Sequence, residues 1–87
     1  MDLNIETVLI DSDKISRELI KTYLGKIENV LIIEEFDNIT KAYNYIIEKR
    51  PNLVIADIST KTNNSIEILS KIAKNSKNTK IVALSYD

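Results

Sequence analysis

Two aspartates each follow a short apolar run, and they are the residues whose type and position best indicate a chemical function. Asp11 follows residues 8–10, which read Val-Leu-Ile, and Asp57 follows residues 53–56, which read Leu-Val-Ile-Ala. Such runs are typical of parallel strands buried on both faces. Because parallel sheets gather their sites at the carboxyl ends of the strands, the two carboxylates would meet at one edge and repel each other. Such a pair favours a hard divalent cation such as Mg²⁺, which binds one or two carboxylates and keeps several waters.

A cation at this edge would permit phosphoryl chemistry. With the negative charge neutralised, one carboxylate could attack an incoming phosphoryl group and form an acyl phosphate. Ser85 ends the fourth apolar run, where its hydroxyl would donate a hydrogen bond to the phosphoryl oxygens. The simpler interpretations are that Asp57 and Ser85 merely end strands and that Asp11 caps a helix. Asp13 is interpreted as a helix cap, and Lys61 as a loop charge that could pair with Asp57 in place of a cation.

The composition excludes several classes of function. The chain has 87 residues, enough for one domain, and its 12 basic and 13 acidic residues give a net charge of −1. This balance lacks the basic footprint of a domain that binds nucleic acid or a membrane surface. Histidine and cysteine are absent, and so is a glycine-rich phosphate loop, which disfavours an independent enzyme. With no leader pattern and no apolar run of membrane-spanning length, we predict a cytoplasmic domain.

Strand and helix periodicities alternate along the whole chain. Apolar residues recur at helical spacing between residues 15 and 27, which indicates an amphipathic helix, and Gly25 falls near its end. A second helix follows Asn38 and must end before Pro51. Alternating strands and helices predict a parallel sheet with right-handed crossovers. The tyrosines of these helices are interpreted as core or half-buried residues: Tyr23, Tyr43 and Tyr45. Strands are predicted at residues 7–10, 30–36, 53–56 and 80–84.

Five motifs follow one another in a specific order and spacing. They are residues 8–13 with Arg17, residues 35–38 with Ala42, residues 51–57, Asn64 with Glu67 and Leu69, and residues 80–85. Together they resemble the receiver domain of two-component response regulators, over nearly all 87 residues. The resemblance implies a flavodoxin-like α/β fold, in which a parallel sheet of four strands in the order 2-1-3-4 has helices on both faces. The last βα units of that fold have no counterpart, so the single receiver-like domain, residues 1–87, is truncated after the fourth strand.

The resemblance also implies roles for individual residues. Asp57 matches the phosphoacceptor, and Mg²⁺ would be held by Asp11, Asp57 and the backbone carbonyl of Ser59. Ser85 matches the switch hydroxyl, while Asp13 and Lys61 are auxiliary candidates. A histidine kinase or phosphotransfer protein would supply the phosphoryl group, and an output domain or partner protein would respond. The only activity expected of the domain itself is self-phosphorylation and dephosphorylation at Asp57.

Several positions depart from the family pattern and suggest an alternative. Ser12 stands where a second acid is expected, Lys61 replaces the usual proline, and Ser65 replaces the usual glycine. The lysine that follows a fifth strand in this family has no counterpart. The alternative is a degenerate receiver used as an interaction or localisation module, like those ahead of the ATPase in pilus-assembly localisation proteins.

The fourth predicted strand would lie at the edge of the sheet. No helix follows it, so one face of the sheet over the third and fourth strands would lack cover. An apolar edge strand is a template for pairing with another chain. We therefore expect either a longer parent protein or a second copy to cover this surface, and we predict that the chain by itself self-associates through the edge.

Overall fold

The computed structural model describes residues 4–58 and 63–84, and the predicted alternation of strands and helices is confirmed. The first strand begins two residues earlier than predicted, and the third continues through Asp57. The first helix ends just before Gly25 and the second before Pro51, as predicted. No helix within the described ranges is long and apolar enough to cross a membrane. The elements are β1 (Ile5–Ile10), α1 (Lys14–Leu24), β2 (Val30–Phe36), α2 (Ile39–Lys49), β3 (Leu53–Asp57), α3 (Asn63–Asn75) and β4 (Lys80–Leu84).

The four strands form one parallel sheet in the predicted order, β2-β1-β3-β4. Strands β1 and β3 are direct neighbours, and Ile10 pairs with Ala56 in their register. The next residue of each chain segment is an aspartate, so Asp11 and Asp57 come to the same edge of the sheet. The central strands thus place the two acids side by side although they are far apart in sequence.

The main core lies between one face of the sheet and helices α2 and α3. It is built from alternate residues of β1 and β3, which point to this face because side chains alternate along a strand. The second helix contributes three buried side chains at positions one turn apart, as its apolar spacing predicts. The buried members of this core are Val8, Ile10, Ile39, Ala42, Ile46, Val54, Ala56 and Ile72.

The opposite face of the sheet carries α1. Glu35 pairs with Leu9 and so shares its face, and Glu35 is bound there by side chains of α1. Leu9 is fully buried and Ile55 is 7% exposed, but Val82 on β4 is 44% exposed. Cover on this face therefore ends before the edge strand, so the predicted gap is confirmed over β4 and is wrong over β3, where Ile55 is buried.

The side of helix α1 that faces the sheet differs from the side that its apolar spacing predicts. The apolar positions Ile15, Leu19 and Tyr23 are each more than half exposed, whereas Arg17 and Lys21 are partly buried and bind Glu35 on β2. The interpretation of Tyr23 as a core or half-buried residue is wrong, while Tyr43 and Tyr45 are half-buried as predicted. The ion pairs to Glu35 fix which side of the helix faces the sheet, so its apolar residues are divided between sheet and solvent.

Core packing against α2 should dominate the stability of this domain. Ile46 is fully buried, so we expect Ile46→Ala to lower the free energy of unfolding by about 2–5 kcal/mol through lost burial and a cavity. Leu19→Ala on the exposed side of α1 is the matched control, with an expected change within about 0.5 kcal/mol. Urea unfolding followed by circular dichroism measures both. An equal loss from Leu19→Ala would contradict the exposure of this side of α1.

Candidate functional site

Asp11 is the most constrained residue of the predicted site. Its side chain is only 1% exposed, and three of its polar groups have defined partners. The backbone N–H donates to the Phe36 carbonyl over 3.0 Å, and the backbone carbonyl accepts from Arg17 Nη1 over 2.5 Å. Carboxylate oxygen Oδ1 accepts from the Asp13 N–H over 2.9 Å. The last polar group, Oδ2, is buried and has no hydrogen-bond partner among the described residues.

The electrostatics of Asp11 point to Asp57 as its neighbour. Burial raises the pKa of Asp11, the hydrogen bond from the Asp13 N–H lowers it, and repulsion from Asp57 raises it further. Two ionised carboxylates can only accept hydrogen bonds, so they cannot satisfy each other. Their contact is satisfied when a proton or a cation lies between them. The buried, unpartnered Oδ2 therefore fits a hard cation, which prefers carboxylate oxygens.

The carboxylate of Asp13 accepts hydrogen bonds from the first turn of the helix that follows it. Its Oδ1 accepts from the Ile15 N–H and its Oδ2 accepts from the Ser16 hydroxyl, each over 3.0 Å. Asp13 is the N-cap residue of α1, which confirms the cap interpretation. Each carboxylate oxygen already accepts a hydrogen bond from the first turn of α1, so Asp13 would weaken this cap if it replaced the acid missing at Ser12.

Glu35 forms a charged network behind the site that the sequence reasoning did not predict. It accepts from Arg17 Nε over 3.1 Å and from Lys21 Nζ over 2.8 Å, and Lys21 also binds Glu18. These partners, Lys21 first and then Arg17, lower the pKa of Glu35, and Glu35 and Glu18 raise the pKa of Lys21. The one available signal was the spacing of Arg17 and Lys21, which puts both cations on one side of α1.

The remaining predicted site residues lie outside the described residues. These are Ser59, Lys61 and Ser85. Within residues 4–58 and 63–84, no group of three or more acidic side chains forms a ready metal site. The described part of the site is therefore a pair of carboxylates, Asp11 and Asp57, with Ser12 exposed beside them.

Removing the charge of Asp11 should stabilise the metal-free protein. An amide at this position can still accept from the Asp13 N–H and can also donate to Asp57. We therefore expect Asp11→Asn to raise the free energy of unfolding by about 1 kcal/mol at pH 7. Because folding raises the pKa of Asp11, protonation of its carboxyl group favours the folded state, and this contribution is lost as pH rises through that pKa.

The gain from Asp11→Asn should therefore vanish below about pH 4, where the wild-type carboxyl group is protonated in both states. Thermal unfolding of the wild type and of Asp11→Asn in EDTA, at pH 7 and below about pH 4, measures this gain in stability. Asp37→Asn is the control, because Asp37 is exposed and its contacts with Lys41 and Asn38 lie on the surface. A loss of stability from Asp11→Asn at pH 7 would contradict the repulsion described above.

Comparison with known proteins places this geometry in a family. The family model for the response regulator receiver domain matches residues 7–87. The sensory transduction protein LytT of Bacillus cereus is 29% identical over 85 residues, which are 95% of this chain and 34% of that protein. The chain thus spans about a third of the length of this curated relative.

Two solved structures show the same fold. The signal receiver domain of NarL from Mycobacterium tuberculosis matches with a TM-score of 0.83 and 17% identity, over 98% of this chain and 69% of that one. The isolated receiver domain of RcsB from Salmonella enterica serovar Typhimurium, solved with phosphomimetic BeF₃⁻, matches with a TM-score of 0.84 and 22% identity. The second match covers 97% of this chain and 63% of that one. The predicted flavodoxin-like fold is confirmed.

Receiver domains are the phosphoacceptor modules of two-component signalling, and they generally bind Mg²⁺ at the phosphorylation site. They interact with histidine kinases or phosphotransfer proteins and with output domains. The alternative prediction of a degenerate interaction module is not favoured by these findings. With two aspartates at the carboxyl ends of β1 and β3, and with the family model matched from residue 7 to residue 87, this chain belongs to the response regulator receiver domain family.

Proposed function

We propose that Asp57 is the phosphoacceptor and that Asp11 and Asp57 together hold Mg²⁺. One observation carries this proposal: Asp11 Oδ2 is buried without a hydrogen-bond partner, and Asp57 is close enough to raise the pKa of Asp11. A protein rarely keeps a buried carboxylate oxygen unpartnered unless the site uses it. Asp57 is half-buried at the end of β3, at the same edge of the sheet as Asp11.

The chemical step is a phosphoryl transfer between two side chains. An Asp57 oxygen forms a bond to phosphorus as the P–N bond of a phosphohistidine donor breaks, and the imidazole nitrogen keeps the electron pair and takes up a proton. Bound Mg²⁺ would neutralise charge on the carboxylates and on the phosphoryl oxygens. Asp11 would hold the cation from the side of β1, opposite Asp57. The parallel pairing of β1 and β3 fixes the spacing of the two acids before any reagent arrives.

Three residues outside the described part of the chain complete the proposal. The Ser59 carbonyl would be a third contact of the protein with Mg²⁺, and the Ser85 hydroxyl would bind the phosphoryl oxygens and report phosphorylation. Lys61 would pair with Asp57 when the site holds no cation. The family resemblance supports the first two roles, since Ser59 and Ser85 stand at the matching positions, while the role of Lys61 rests only on its positive charge in the loop after Asp57.

Phosphorylation at Asp57 is directly testable. Incubation with acetyl phosphate and Mg²⁺ should add one phosphoryl group, detected by mass spectrometry of the intact protein, and EDTA should prevent it. Asp57→Asn should abolish the adduct, because an amide oxygen is not a sufficient nucleophile. Asp37→Asn is the matched control, since Asp37 lies just past the carboxyl end of β2 and makes exposed contacts with Lys41 and Asn38. An adduct that persists in Asp57→Asn would contradict the assignment.

A second copy of this chain is the proposed cover of β4. The two edges of the sheet differ, because β2 carries Glu34 and Glu35 and an irregular register with β1, whereas the only charge on β4 is Lys80. Charges and irregularities protect an edge from pairing. Val82 on β4 is 44% exposed, so this strand presents an apolar side chain that a second copy would cover.

Two β4 strands paired antiparallel about Val82 would place Lys80 opposite Leu84 of the second copy, so the two lysines would not face each other. We expect the 87-residue chain to sediment as a dimer and Val82→Lys to shift it to monomer, because a charge would be buried at the new pairing. Ile66→Lys, on the exposed side of α3, should leave the dimer intact. A well-folded wild-type chain that sediments only as a monomer would show this proposal to be wrong.

A further inference from the structure

The loop that carries Asp11 is held from behind by a side chain that does not reach the cation site. Arg17 donates from Nη1 to the Asp11 backbone carbonyl over 2.5 Å and from Nε to Glu35 over 3.1 Å. Its side chain is only 15% exposed, although arginine is normally a surface residue. One planar guanidinium thus connects the end of β1 to the end of β2 from a position on α1.

The geometry points to Arg17 as a positioning residue for Asp11, an inference that rests on the proposed function and extends it. The carbonyl of Asp11 is fixed by Arg17, its N–H by Phe36 and its Oδ1 by Asp13. With these three groups fixed, the remaining rotation of the carboxylate is small, and Oδ2 is held buried at the edge that Asp57 shares. Loss of the contact to the carbonyl frees the turn between β1 and α1 and releases the carboxylate.

Glu35 acts through Arg17. Its carboxylate accepts from Arg17 and from Lys21, so the guanidinium is oriented by a partner that is itself held by a second cation. A planar group that donates in two directions cannot be replaced by lysine, which carries a single point charge on a flexible stem. Groups that orient a metal ligand typically change metal affinity by about 10–100-fold when they are removed.

The positioning role and a simple charge effect predict opposite results. Arg17 is a cation near a cation site, so its charge alone disfavours Mg²⁺, and removal of that charge would tighten binding. The positioning role predicts that Arg17→Met weakens Mg²⁺ binding by about tenfold, and that Arg17→Lys restores little of it. Lys41→Met is the matched control, since it removes one cation from the exposed pair with Asp37 and should change the affinity less than about twofold.

The experiment is a Mg²⁺ titration of the 87-residue chain followed by NMR amide shifts, with folding of each variant checked by circular dichroism. Glu35→Gln should weaken binding in the wild type and have little further effect in Arg17→Met, because the two residues form one unit. A variant that only unfolds more easily would keep the wild-type affinity in its folded fraction. Unchanged or tighter binding in Arg17→Met would overturn the inference.

A metal-free measurement separates this inference from the proposed function. The Asp13 amide donates to Asp11 Oδ1, so its hydrogen exchange reports whether the turn is held. Arg17→Met should speed exchange of the Asp13 amide while the Val8 amide in the core stays protected. Wild-type protein that binds no Mg²⁺ would contradict the proposed function alone. Unchanged exchange at Asp13 in Arg17→Met would contradict the positioning role, whatever the metal result.

Discussion

The parallel pairing of β1 with β3 is the constraint on which the rest of this domain depends. It joins two buried strands in a register that brings Asp11 and Asp57 to one edge. The strands are stabilised by apolar burial on the face of α2 and α3, and this stabilisation offsets the repulsion between the carboxylates. The acids are thus held together by the core, and the Mg²⁺ of the proposed function would relieve the unfavourable contact between them.

Polar contacts then determine how α1 lies on the other face. An amphipathic helix normally buries its apolar side, but α1 directs Arg17 and Lys21 to the sheet and leaves Ile15, Leu19 and Tyr23 largely exposed. Burial of these three side chains would favour a different rotation of the helix. The rotation that occurs satisfies Glu35 and the Asp11 carbonyl, groups that would otherwise lie at the sheet with weaker partners. Helix α1 thus supports the site rather than completing a core.

The sequence was sufficient to predict the fold and the meeting of the two acids at one edge. It was not sufficient to predict the orientation of α1, because polar contacts determine that orientation. Apolar runs of four to seven residues identified the strands, and alternation with helices predicted parallel pairing, which placed Asp11 beside Asp57. The orientation of α1 could not be read from apolar spacing, since that spacing contains no information about Arg17, Lys21 and their partner on β2. The edge position of β4 followed from the predicted strand order 2-1-3-4, and the exposure of Val82 agrees with it.

The charge that the site lacks at Ser12 is not readily replaced, because the nearby Asp13 caps α1. Asp13 is the nearest acid that could replace the missing charge, but both its oxygens serve the first turn of α1. To release Asp13 would cost the helix its N-cap, which is typically worth about 1 kcal/mol. The site therefore has two carboxylates, and divalent affinity falls as the number of charged ligands falls. With fewer charged ligands, the orientation of each one would matter more, and Asp11, a ligand in the proposed function, is held in place by contacts from β2, α1 and its own turn.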